Sequence, residues 1–197
     1  MADPARVNEG RAAYGDYVTW PEGQRWELID GIPFDMSPAP TQRHQALITQ
    51  LGVQIAAFLQ DKPCRAYFAP FDVLLPDSAD QVDDDVPTVV QPDILVVCDR
   101  SKLSEKGCRG APDWVIEIVS PSTSVRDQRD KLALYERHGV KEYWVVHPTD
   151  RIVMVYVLGP AGGYGRPRVY GNDEKADPVT LPGLSMDLKT AFERCEL

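Results

Sequence analysis

The chain has 197 residues, enough for one well-buried domain and too few for two comfortable ones. Its 43% hydrophobic and 26% charged residues are ordinary for a globular protein, and no apolar run is long enough to span a bilayer. The net charge of −9 argues against a broad basic face, and the absence of an apolar segment near the start leaves a cytoplasmic location as the expectation.

In chain order, RWELIDGIPFDMS predicts two short strands around Asp30-Gly31, a strong local hairpin signal. After Pro38 and Pro40, the stretch TQRHQALITQLGVQIAAFLQ predicts a helix. Thr41 is its N-cap, and Leu47, Leu51, Ile55 and Leu59, with Ile48 and Phe58, recur at helical spacing to form a buried face. Three strand candidates follow: CRAYFAPFDVLLP, VVQPDILVVC and APDWVIEIVS. The nearly unbroken apolar character of the last two suits a sheet covered on both faces. Asp77, Asp80, Asp83, Asp84 and Asp85 crowd the connection between the first two and read as a solvated loop. STSVRDQRDKLALYERHG predicts a second helix, launched by Ser124 and stopped at Gly139. KEYWVVHP and RIVMVYVL are two further strands, and LPGLSMDLKTAFERCEL ends in a short helix.

This order predicts an α/β protein with a mixed central sheet flanked by helices and an N-terminal β-hairpin. A single domain over 1–197 is expected, with a core at about 15–158 and an extension at 159–197. Cys64, Cys98, Cys108 and Cys195 have no CxxC spacing and are expected as reduced thiols. Trp26, Trp114 and Trp144 are read as core or interface residues, not as platforms for stacking bases.

Two carboxylates break the apolar pattern. Glu117 interrupts VIEIV, where an ionised, unpaired group would be very costly to bury. Asp93 precedes the apolar run ILVVC. Two neighbouring strands, each with a carboxylate near one end, can converge on a hard divalent cation, Mg2+ or Mn2+. Asp113 competes for the role, but four strand residues separate it from Glu117 by about 13 Å, too far to share one ion. It is read as a strand-entry residue.

Pro92-Asp93 followed by Glu117-Ile118-Val119 on the next strand is similar to the PD-(D/E)XK nuclease pattern. WELIDG, RHQ, QPDILVV, APDWVIEIVSPST, RDQRDKLALYERHGVKEYWVV and LPGL together resemble the restriction-endonuclease family called Uma2, over nearly the whole chain. The resemblance implies a restriction-endonuclease-like fold and a Mg-dependent endonuclease acting on nucleic acid, DNA before RNA. It implies an ion held by Asp93, Glu117 and the main-chain carbonyl of Ile118, with water attacking the phosphodiester. It adds Glu27, in WELID, as a further acidic candidate. By analogy, a homodimer would suit the cutting of both strands.

The chain departs from the pattern at Val119, where lysine is expected. Lys131 is the candidate replacement. It lies four residues after Asp127 and four before Tyr135, on one side of the second helix and at the border of its buried face. From there it can orient the water or offset transition-state charge. His44, Asp127 and Tyr135 are candidates for a supporting shell. The competing reading is a degenerate nuclease fold kept as a binding or interaction module, which Val119 and the acidic charge favour. No membrane association is expected.

Overall fold

Asp30 and Gly31 both adopt positive φ (50° and 80°), the conformation that a tight two-residue hairpin turn requires. They join β1 (Trp26–Ile29) to β2 (Ile32–Asp35), paired in the register Ile29↔Ile32. A Cβ at Gly31 would lie 2.4 Å from that of Arg11, so glycine is required there twice over. The computed structural model describes residues 11–21, 23–36, 39–120 and 126–195, without the side chains of residues 126 and 127.

The chain forms two units, each assembled from three segments. The first comprises Met1–Ala39, Phe71–Gln91 and Ser101–Ala111. Besides the hairpin it holds α1 (Tyr14–Tyr17), β4 (Val73–Leu74), β5 (Val89–Val90), β7 (Leu103–Ser104) and β8 (Gly107–Arg109). Its sheet runs β2-β1-β5-β4-β8-β7, antiparallel except between β4 and β8. Ala12, Tyr14, Trp20, Leu28, Leu74, Val86 and Val89 make its core. The aspartate-rich connection is mostly exposed and carries a short turn at Asp83–Asp85.

The second unit comprises Pro40–Pro70, Pro92–Arg100 and Pro112–Leu197. Its strands are β3 (Arg65–Phe68), β6 (Ile94–Val97), β9 (Trp114–Ile118), β10 (Glu142–His147), β11 (Ile152–Val157) and β12 (Arg168–Gly171). They are ordered β12-β11-β10-β9-β6-β3, with only β9 and β10 parallel. A small pair, β13 (Lys175–Ala176) and β14 (Met186–Asp187), precedes α4 (Leu188–Glu193).

One face of this sheet packs on α2 (Gln42–Leu59), which Thr41 caps by accepting the His44 N–H at 3.3 Å. Leu47, Leu51, Ile55 and Leu59 meet Ile94, Val96, Trp114, Ile116, Ile118, Trp144 and Val146, as the helical spacing predicts. Trp114 and Trp144 touch edge to face with centroids 4.8 Å apart, a contact that adds about 1 kcal/mol to their burial. α3 (Lys131–His138) serves the opposite face, where the Tyr135 ring meets Tyr143 at 4.9 Å. Gly139 ends α3 with φ of 81°.

Three expectations change. CRAYFAPFDVLLP and VVQPDILVVC are not single strands: each contributes one strand to each unit, so there are two mixed sheets instead of one. Pro70 and Pro92 stand at the divisions, where a residue without an N–H interrupts the ladder. Cys64 and Cys98 are joined by a disulfide (S–S 2.09 Å) instead of being free thiols; the Arg65↔Val97 register sets them opposite each other. The second helix is α-helical only from Lys131, after a wider turn over Arg126–Asp130. Ser124 and the side chain of Asp127 lie outside the described residues. Among the described residues no helix is long and apolar enough to cross a membrane.

Candidate active site

β9 alternates strictly. Trp114, Ile116 and Ile118 enter the core beneath α2, so Val115, Glu117 and Val119 take the face served by α3. Glu117 is 4% exposed, and its Oε1 accepts hydrogen bonds from Lys131 Nζ and from Tyr135 Oη, each at 2.9 Å. Lys131 opens α3 and Tyr135 follows one turn later, so the i, i+4 spacing delivers both donors to one carboxylate. The Lys131 and Glu117 side chains are 3% and 5% exposed. Lys131 is therefore fully inside, not at the border of a buried face, because a carboxylate waits there to compensate its charge.

Asp93 stands one step beyond the Ile94↔Ile116 pair of β6 and β9, opposite Glu117. Its Oδ2 accepts the Ile118 N–H at 2.8 Å, closing the ladder where β6 has run out, and lies 3.1 Å from His44 Nε2. The first turn of α2 carries His44, and both side chains are nearly buried (13% and 14%). Both bonds fall on Oδ2; among the described residues Oδ1 accepts none.

Glu117 thus meets Lys131 and Tyr135 from α3, Asp93 meets His44 from the start of α2, and the β6–β9 register makes Asp93 and Glu117 cross-strand neighbours. Asp113 faces elsewhere: it accepts the Cys98 N–H (2.7 Å) and meets Lys141 Nζ (2.7 Å), consistent with a strand-entry residue. Glu27 belongs to the first unit. It is fully buried, and its Oε1 accepts the Gln91 N–H at 3.0 Å.

Sequence reading missed two residues. Glu142 is fully buried and satisfied by Trp144 Nε1 and the Thr180 N–H, both at 2.8 Å, which shows that a buried glutamate can be purely structural. His147 ends β10 on the same face as Glu117; the alternation of KEYWVVHP carries that signal. Among the described residues no group of three or more His, Cys, Asp or Glu could hold a metal by itself. A magnesium site in general takes only one or two carboxylates from the protein and completes its shell with waters and phosphate oxygens.

The family model described as "Putative restriction endonuclease" matches residues 14–189. Among solved structures, a crystal structure described as a putative nuclease belonging to DUF820, from Anabaena variabilis ATCC 29413, is similar to this chain with a TM-score of 0.74 and 22% identity. The match covers 93% of this chain and 99% of that one, and at that identity it is a likeness of fold. No curated protein matches the chain. The match along nearly the whole sequence means that the chain belongs to the Uma2 family of restriction-endonuclease-like proteins.

Proposed function

We propose that this protein is a metal-dependent endonuclease that hydrolyses phosphodiester bonds in nucleic acid, with DNA as substrate, and that Lys131 replaces the lysine missing at position 119. The observation that carries this reading is the buried bond between Lys131 Nζ and Glu117 Oε1, beside Asp93 on the paired strand. A buried lysine meeting a buried glutamate costs desolvation at both ends, and a hydrophobic pair would fill the same space more cheaply. A site that must hold a cation and a negative phosphate gives the expense a purpose.

Asp93, Glu117 and the Ile118 carbonyl would hold Mg2+ or Mn2+. The ion, when bound, lowers the pKa of a water and offsets charge on phosphorus. The chain's own groups do the rest. His44 fixes the Asp93 carboxylate through Oδ2 and leaves Oδ1 for a ligand. Tyr135 fixes Glu117. Lys131, held by Glu117, supplies the ammonium that offsets charge developing on the scissile phosphate. A pair of subunits would bring two such centres to the two strands of a duplex.

The second reading, a binding module that has lost its chemistry, is favoured by Val119 and by the charge of −9, which weakens attraction to phosphates. Incubation with plasmid and single-stranded substrates in Mg2+ or Mn2+, beside Asp93→Asn and Glu117→Gln, separates the two. Cleavage by the native chain that both variants lose is the expected result. Cleavage persisting in both variants discards the site, and binding without cleavage in any metal leaves the second reading.

A further inference from the structure

His147 is the last residue of β10, at the same sheet end as Val119. The parallel register Val145↔Glu117 and Val146↔Ile118 makes His147 the cross-strand neighbour of Val119, and the Val119 N–H bonds the Val146 carbonyl at 2.9 Å. Trp144 and Val146 point into the core beneath α2, so Tyr143, Val145 and His147 share the face of Glu117. Tyr143 meets Tyr135 at the deep end of that face, and α3 begins, at Lys131, nearer the end where His147 stands.

The imidazole is 13% exposed, and its Nε2 is buried with no hydrogen-bond partner among the described residues. A buried ring nitrogen left without a partner costs about 1–3 kcal/mol, so Nε2, on the face of Glu117, is a place for a hydrogen-bond donor. Asp150 Oδ2 lies 3.9 Å from Nδ1, beyond a hydrogen bond but close enough to favour the tautomer with its proton on Nδ1. Nε2 then presents a lone pair. Burial pushes the imidazole pKa down, against a smaller opposing pull from Asp150, so the ring is neutral near pH 7.

We propose that His147 Nε2 is the proton acceptor for the water that attacks phosphorus in this site. This rests on the nuclease reading and goes beyond the resemblance, which assigns His147 nothing. As the water oxygen bonds to phosphorus, one of its protons passes to Nε2. The ester bond on the far side breaks with its electrons going to the leaving oxygen, which takes a proton from solvent. The arrangement divides the work of the absent lysine at 119: Lys131 brings the charge, and His147, beside Val119, takes the proton.

The test compares the native chain with His147→Ala in Mg2+, with and without excess imidazole. The expected result is a kcat about 100-fold lower with KM unchanged, partly restored by imidazole occupying the vacated space. Mn2+ affinity, measured calorimetrically on both proteins, should not differ. In the native chain, nitrogen-15 NMR should find the His147 proton on Nδ1. Undiminished cleavage by His147→Ala, a loss that imidazole does not relieve, or a proton resident on Nε2 overturns the proposal and leaves the nuclease reading standing. No cleavage by the native chain in either metal overturns both.

Discussion

Lys131 Nζ lies 2.9 Å from Glu117 Oε1 in a setting where neither side chain is more than 5% exposed. The two residues occupy consecutive elements, strand β9 and helix α3, so a short stretch of chain builds the contact. Tyr135, one helical turn on, gives the same oxygen a second donor.

Such a pair is asymmetric in its energetics. Removing one partner leaves a buried charge uncompensated, whereas removing both leaves a neutral interior. Lys131→Met should therefore destabilise the fold by about 3–5 kcal/mol. The double variant Lys131→Met/Glu117→Gln should recover most of that loss. Urea unfolding of the three proteins gives the comparison, and equal losses in the single and double variants would show that the lysine contributes packing, not charge.

Position 119 offers a gain-of-function test. Val119 lies on the face of Glu117 and is 7% exposed, so a lysine there would project its amine toward the same carboxylate. In the native background Val119→Lys should lower both stability and cleavage, because two ammonium groups would crowd one glutamate. In the Lys131→Met background the same change should raise kcat by at least about tenfold, since it returns a cation to the site. Cleavage that stays at the Lys131→Met level would show that the cation must come from α3.

Asp93 serves both fold and site, and its roles separate by substitution. Asp93→Ala removes the acceptor of the Ile118 N–H and should cost about 1–3 kcal/mol. Asp93→Asn keeps a carbonyl oxygen for that N–H, so its stability should stay near native while the heat of Mg2+ binding disappears. His44→Ala removes the group that orients Asp93 and should weaken Mg2+ binding about tenfold. A calorimetric titration of Mg2+ into each variant ranks them, and an unchanged affinity in Asp93→Asn would remove Asp93 from the ion.

Much of this was legible because the chemistry breaks a local pattern. A glutamate inside VIEIV, a cap at Thr41, a helix face with period 3.6 and a glycine after Asp30 all declare themselves within a few residues. What was not legible depends on pairings far apart in sequence. The split of VVQPDILVVC between two sheets follows from the separate partners of β5 and β6. The Cys64–Cys98 link spans 34 residues and exists only because β3 lies beside β6. Lys131 looked peripheral because α3 gives no sign of what it packs against. His147 looked like a strand end because the neighbour that gives it interest, Val119, belongs to another strand. Glu142 marks the limit of the argument from apolar context: the same kind of anomaly as Glu117 is satisfied there by an indole and an amide.

The buried imidazole also predicts how stability responds to acid. The His147 pKa in the folded protein is depressed below its ordinary 6.5, chiefly by burial. Between the two values the unfolded chain binds a proton that the folded chain refuses, so stability rises with pH across that window and falls as pH drops below about 6.5. His147→Gln cannot take up this proton, and its unfolding free energy should decline less than that of the native chain as pH falls from 7 toward 5. Asp187 titrates in a different window. Its carboxylate caps α4 through the Thr190 N–H and hydroxyl, which hold its pKa below the ordinary 3.8, so its contribution is lost only as pH falls through that lower value. Urea midpoints measured from pH 7 to 3 should therefore show the native and His147→Gln curves diverging as pH falls below about 6.5, with any Asp187 effect common to both. Curves parallel over the whole range would mean that His147 takes up a proton as readily folded as unfolded, and that the ring is open to water instead of held neutral at the strand end.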